Sequence, residues 1–200
     1  LLAIDHMTLF VGKYRVESAR LKGWDYSSKG YYFVTICTGN RRHYFGKIVN
    51  GKMALSEMGQ IIQDEWQKTG MIRKNVKLDE FVVMPNHIHG ILVIESIVVE
   101  TPRRGVSTND LPRSTNDLPP SANNPVFPRD NNNWGPNTLG SIINQFKSVS
   151  TKRIRAMGGN NFEWQGRYHD HIIRNQWSLD RIRRYIENNP RNWQNDRMNN

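Results

Sequence analysis

Two histidines one residue apart, His87 and His89, lie in the string Met84-Pro85-Asn86-His87-Ile88-His89-Gly90-Ile91-Leu92-Val93-Ile94. A strand sends alternate side chains to one face, so the two imidazoles stand side by side while Ile88 packs behind them. Such a pair can form two corners of a metal site, or serve as half-buried polar groups at a sheet edge. Far downstream, Arg181, Tyr185 and Asn189 recur at four-residue spacing and share one stripe of a helix. Asn189 can offer an amide oxygen to a hard cation, Tyr185 a phenolic oxygen beside whatever that cation holds, and Arg181 positive charge for a phosphate. The same residues also fit a surface tyrosine and an asparagine that closes a helix before Pro190. A second His-x-His occurs in Arg167-Tyr168-His169-Asp170-His171. On a strand Tyr168 opposes both of those histidines, a poor arrangement for a nucleophile beside a metal that they would hold.

The elements that must hold these groups follow from periodicity and punctuation. Tyr31 to Thr38 is rich in β-branched and aromatic residues and ends at Gly39-Asn40, which predicts a strand. Asn50-Gly51 between short apolar runs predicts a hairpin over 45–54. Ser56 reads as the N-cap of a helix with Met58, Ile61, Ile62 and Trp66 on its apolar side and Gly70 as its stop. Strands over 77–84 and 87–95 join through Pro85-Asn86. Leu139, Ile142, Ile143, Phe146 and Ile154 trace a helix ended by Gly158-Gly159, and the second half of 162–174 is a strand. Ser178 reads as the cap of a last helix, with Leu179, Ile182, Ile186 and Trp193 as its apolar face. This order favours an α+β layer, one sheet with helices packed on one face.

Between the two halves, 31–95 and 138–193, lies a stretch of another kind. Residues 96–137 contain Ser-Thr-Asn-Asp-Leu-Pro twice, at 107–112 and 114–119, followed by Asn- and Pro-rich sequence. That composition buries too little to offset ordering entropy, so a mobile, low-complexity insertion is expected. Residues 1–30 read as a basic arm and 194–200 as a tail. The 200 residues carry 28 Lys+Arg against 18 Asp+Glu, a net charge of +10, which makes a polyanion the natural partner. The single cysteine, Cys37, excludes a disulfide framework and a cysteine-rich zinc module. No apolar run approaches the roughly 20 residues of a membrane span, and Leu1-Leu2-Ala3-Ile4 is too short for a secretory core. The expectation is a cytoplasmic protein, nucleoid-associated if bacterial, with no membrane partner.

Met84-Pro85-Asn86-His87-Ile88-His89-Gly90, followed by Tyr185-Ile186-Glu187-Asn188-Asn189-Pro190, resembles the HUH single-tyrosine transposases, and among them the REP-associated tyrosine transposase branch. Tyr31 to Thr38 with Tyr44-Phe45-Gly46, and Trp164-Gln165 through His171-Ile172-Ile173-Arg174, extend the resemblance over most of 13–193 outside the insertion. The resemblance implies a ferredoxin-like antiparallel sheet and metal-dependent nicking and strand transfer on single-stranded or hairpin DNA. It places the nucleophile on Tyr185 and the metal ligands on His87, His89 and Asn189, with Mg²⁺ or Mn²⁺ as the ion. Attack by the phenol would leave a 5′-phosphotyrosine and a free 3′-hydroxyl, and reversal would join a new strand. Relatives of this kind include monomers and homodimers.

For DNA contacts the candidates are Arg15, Arg20, Lys22, Arg41, Arg42, Lys147, Lys152, Arg153, Arg174, Arg181 and Arg184, with Arg183 beside them. Interleaved with Trp24, Tyr26, Tyr44 and Trp164, they suit a strand whose phosphates are neutralised while its bases stack. A non-catalytic, domesticated nucleic-acid-binding protein on the same fold is the alternative, since it would keep fold and charge without cleaving.

Overall fold

The computed structural model describes residues 9–10, 13–14, 20–21, 23–95 and 137–199. The expected insertion, apart from Asn137, and most of the basic arm, with Arg15 and Lys22, lie outside the described residues. A short antiparallel ribbon, β1 (Leu9–Phe10) and β2 (Lys13–Tyr14), comes first. The chain continues through β3 (Gly30–Cys37), the hairpin strands β4 (Gly46–Val49) and β5 (Lys52–Leu55), and helix α1 (Glu57–Ile72). Then follow β6 (Val76–Val83), β7 (His87–Ile94), α2 (Leu139–Ala156), β8 (His169–Ile173) and α3 (Gln176–Asn188).

The main sheet has the order β6-β7-β3-β8 with every neighbouring pair antiparallel. Two crossovers interleave. The unit β3-α1-β6 leaves a gap that β7 fills, and β7-α2-β8 leaves one that β3 fills, which is the split βαβ arrangement of ferredoxin-like folds. The two strands that carry most of the chemistry-bearing residues are therefore central.

Strand alternation divides those central strands between two faces. On one, Tyr32, Val34 and Ile36 of β3 and Ile88, Leu92 and Ile94 of β7 meet Ile62 and Trp66 of α1 and Ile142, Ile143 and Phe146 of α2. Gly90 belongs to this face: a Cβ there would meet Trp66 Cζ2 at 2.4 Å, so only glycine lets the indole lie on the strand. On the reverse face, Phe33, Val82 and Ile91 pack against Ile173, Leu179, Ile182 and Ile186. The crossover helices cover one face, as the element order implies, and α3 adds a second, smaller apolar cluster on the other. Arg183 of α3 pairs with Asp79 of β6, Nε to Oδ1 at 2.8 Å, and holds α3 to that sheet edge.

Local signals mostly hold. Asn50 and Gly51 both have positive φ, 51° and 71°, the pairing that a two-residue type I′ hairpin turn requires. Ser56 Oγ accepts from Gly59 N at 3.1 Å and caps α1. Three expectations are corrected. Gly70 does not stop α1, which runs on to Ile72; a Cβ at Gly70 would sit 3.1 Å from Leu78 Cγ, so the glycine serves close helix–strand approach. Asn175, not Ser178, caps α3, its Oδ1 accepting from Ser178 N at 2.9 Å. Trp193 lies beyond α3, in the 3₁₀ turn Trp193–Asn195, where it is buried.

Candidate active site

The β6–β7 turn places Asn86 directly before the strand that carries His87 and His89, and all three are buried. Their face is the one under α3. Cross-strand register puts His89 opposite Thr35 on one side and Val82 on the other. Asn86 Oδ1 lies 2.8 Å from His87 Nδ1, while Asn86 Nδ2 donates to the carbonyls of Arg41 (3.1 Å) and Met198 (2.6 Å). Those two donations fix the amide's orientation, so its oxygen faces His87 and can only accept. His87 therefore carries its proton on Nδ1 and presents a lone pair from Nε2. Thr35 Oγ1 lies 2.8 Å from His89 Nδ1, and the two Nε2 atoms face each other at 3.0 Å. Burial pushes the pKa of His87 down to about 4 and that of His89 well below its ordinary value, with the His87 charge adding to the latter. Both rings are neutral at pH 7, the state in which imidazole ligates metals.

Tyr185 reaches this pair from α3. Its Oη is 3.1 Å from His89 Nε2, and its ring lies edge-on to Phe33 and to His89. The tyrosine is 48% exposed, so it is open to solvent on the side away from the histidines. Burial of its oxygen raises its pKa, the Asp196 charge adds to that, and a hydrogen bond with Asn189 works in the opposite direction. Asn189, one turn on, is buried, and among the described residues its Oδ1 has no hydrogen-bond partner. After the Trp193–Asn195 turn, Asp196 comes back to the site: its carboxylate, His87 and His89 offer ligand atoms that all lie within 4.8 Å of one another. Trp193 packs on His87, and Arg41 Nη1 donates to Arg197 O at 2.9 Å.

This donor set fits a divalent ion. Two cis ligands about 2.1 Å from an octahedral ion stand about 3 Å apart, which is the separation of the two Nε2 atoms. Two neutral imidazoles and a carboxylate form the mixed nitrogen and oxygen environment that Mn²⁺ or Mg²⁺ accepts. The hydrogen bonds of Asn86 and Thr35 to the far ring nitrogens are the outer contacts that orient ligating histidines.

No family model matches the chain. An uncharacterized protein of Haemophilus influenzae is 35% identical over 199 residues, and the match covers 94% of each chain. The chain belongs to that protein's family. Among solved structures, a REP-associated tyrosine transposase bound to a REP hairpin is similar with a TM-score of 0.53 and 20% identity, over 90% of this chain and 74% of that one. The fold is thus one that such a transposase also has.

For this family member, the structure distributes the basic candidates unevenly. Arg174, Arg181 and Arg184 are exposed near or along α3, and Arg181 and Arg184 line a hollow of about 750 Å³ beside Tyr185. Arg41 is tied to the C-terminal segment over the histidines, and Arg42 lies 3.4 Å from Tyr44 Oη. Lys147 and Lys152 are elsewhere, in an open groove of about 550 Å³ with Arg155 and Trp164. Lys147 Nζ donates to Gln165 O at 2.6 Å, and burial lowers its pKa to about 8. Two candidates are engaged within the fold. Arg20 bonds Tyr168 Oη, lies 3.9 Å from Asp170 and stacks on Tyr26 and Tyr168. Arg153 bridges α2 to Glu65 and Asp64 of α1. Arg183 is likewise held by Asp79. Tyr168 packs with the α1–α2 core, away from the histidine pair.

Three contributors escaped the sequence reading. Thr35 could have been found by pairing two central strands in register. Asn86 stood in the motif but read as a turn residue. Asp196 had no signal at all, because its approach depends on how the chain folds back after Asn189.

Proposed function

We propose that the protein is a metal-dependent DNA-nicking and strand-transfer enzyme of the HUH single-tyrosine type, acting on single-stranded or hairpin DNA. The observation that carries this reading is the approach of Tyr185 Oη to within 3.1 Å of His89 Nε2, across 96 residues of sequence. A pure DNA binder has no need to aim a half-exposed phenol at a buried pair of neutral imidazoles. The solved transposase with this fold is bound to a REP hairpin, which supports the same substrate class here.

His87, His89, Asp196 and Asn189 would hold the ion, which when bound polarises the scissile phosphate and stabilises charge on its oxygens. The chain's own residues supply the rest. Tyr185 rests as a neutral phenol, because burial and Asp196 both disfavour the phenolate. Its hydrogen bond with Asn189 favours the anion, so that residue supports the nucleophile once the proton leaves. The phenolic proton passes to solvent, to which Tyr185 is open, the oxygen forms a bond to phosphorus, the bond from phosphorus to the 3′ oxygen breaks, and that oxygen takes up a proton from water. The phosphodiester energy stays in the protein–DNA link, so a second 3′-hydroxyl can reverse the step without a nucleotide cofactor. Arg181 and Arg184 neutralise flanking phosphates in the hollow beside Tyr185.

The test uses 5′- and 3′-labelled hairpin and linear oligonucleotides with Mn²⁺. Wild-type protein should give a denaturation-resistant adduct carrying the 3′ label, and EDTA should stop it. Tyr185→Phe should lose the adduct by on the order of a thousandfold or more. An adduct that survives in Tyr185→Phe overturns the assignment, and a wild-type protein that binds but never links to DNA favours the non-catalytic binder.

A further inference from the structure

We propose that Trp177, backed by Arg181, is a stacking step for an unpaired nucleobase in the DNA flank that leads away from Tyr185. The inference rests on the DNA-processing reading above and extends it to a site outside the catalytic cluster. Trp177 is 67% exposed in the first turn of α3, although a tryptophan with no partner surface is normally at least half buried. Among the described residues its ring partner is cationic: the Arg181 guanidinium sits 4.7 Å from the ring centroid. That contact sets the orientation of the indole and leaves the remaining ring surface open.

Position then supplies the occupant. Trp177, Arg181 and Tyr185 follow one another at four-residue spacing, a single stripe of α3. Along the helix axis Trp177 lies about 12 Å from Tyr185, the length of roughly three to four stacked nucleotides. The hollow beside Tyr185 and a second one of about 500 Å³, lined by His171, Arg174, Trp177 and Arg181, share Arg181 as a common wall. Arg174, Arg181 and Arg184 provide the charge for the phosphates of a strand leaving the phenol. The acidic group in the second hollow, Asp170, has Arg20 at 3.9 Å, so it does not oppose a polyanion with a bare charge. Cations beside an open indole, in line with a proposed phosphate-cleaving phenol, match the chemistry of unpaired DNA better than that of an apolar protein partner.

The experiment measures binding of fluorescein-labelled oligonucleotides by anisotropy in EDTA, where no cleavage interferes, for wild type, Trp177→Ala and Trp177→Phe. Trp177→Ala should weaken binding of a hairpin with single-stranded flanks by about tenfold, and Trp177→Phe by less than about threefold. An abasic site moved along the flank should reproduce the tenfold loss at one position in wild type and cause no further loss there in Trp177→Ala. Wild-type affinity in Trp177→Ala overturns the proposal. So does an equal loss on a blunt hairpin, which would assign the residue to duplex backbone, or a loss that no abasic position absorbs. Because the readout is affinity, a failure of adduct formation at Tyr185 would remove the catalytic reading and leave this result separately legible.

Discussion

The two faces of the sheet are built from the same strands and do opposite work. Under α1 and α2 the contributions of β3 and β7 are apolar, and Gly90 leaves room for Trp66 to lie on the strand. Under α3 the apolar cluster is confined to one end, and beside it Thr35, Asn86, His87 and His89 are buried together with their ring nitrogens all engaged. Buried polar groups destabilise unless they are satisfied. One face therefore supplies the stability that lets the other carry a desolvated, preorganised set of ligands. The alternation of a single strand, β7, is enough to separate these tasks.

That contrast can be broken by mutation. Trp66→Ala should lower unfolding free energy by roughly 3–5 kcal/mol, read by urea denaturation. Tyr185→Phe should change it by less than about 0.5 kcal/mol while removing the DNA adduct. Comparable losses from both would mean that the faces are not separable.

Acid offers a second test, specific to the α3 face. His87 has a pKa of about 4 when folded against an ordinary value of 6.5. Between those values the unfolded chain binds a proton that the folded chain refuses, so stability falls as pH drops from about 6.5 to about 4 and is flat above. Full passage should cost roughly 3 kcal/mol for this residue, measured as denaturation midpoints at pH 7.5, 5.5 and 4.5. A flat profile would mean that the imidazole is not held neutral by burial. The finest cut concerns Asp196. Asp196→Asn should weaken Mn²⁺ binding, followed by electron paramagnetic resonance, by about tenfold with little change in folding; unaltered affinity would take Asp196 out of the donor set.

How far the sequence carried can be judged from particular residues. The strands of the main sheet, the Asn50-Gly51 turn and the Ser56 cap were legible because each is decided by side chains within a few positions of it. The facing of His87 and His89 was legible for the same reason, since strand period alone sets it. Gly70 and Ser178 misled because their local meaning, stop and cap, was overridden by a neighbour: Leu78 across the helix, and Asn175 with a better-placed side-chain oxygen. Arg20 and Arg153 looked like free cations because nothing local reveals partners 150 and 88 residues away, Asp170 and Glu65. Asp196 was invisible on the same principle, and it lies in what the sequence presents as a tail.

Cys37, the only cysteine in the chain, is 8% exposed, its Sγ is 3.9 Å from Met198 Sδ, and burial raises its pKa. Alkylating reagents attack thiolates that they can touch, so this sulfur is shielded while residues 196–199 lie in place. The protein thus contains its own chemical reporter. The rate at which a maleimide consumes Cys37, with and without DNA, would time any lifting of that segment, with no probe engineered in.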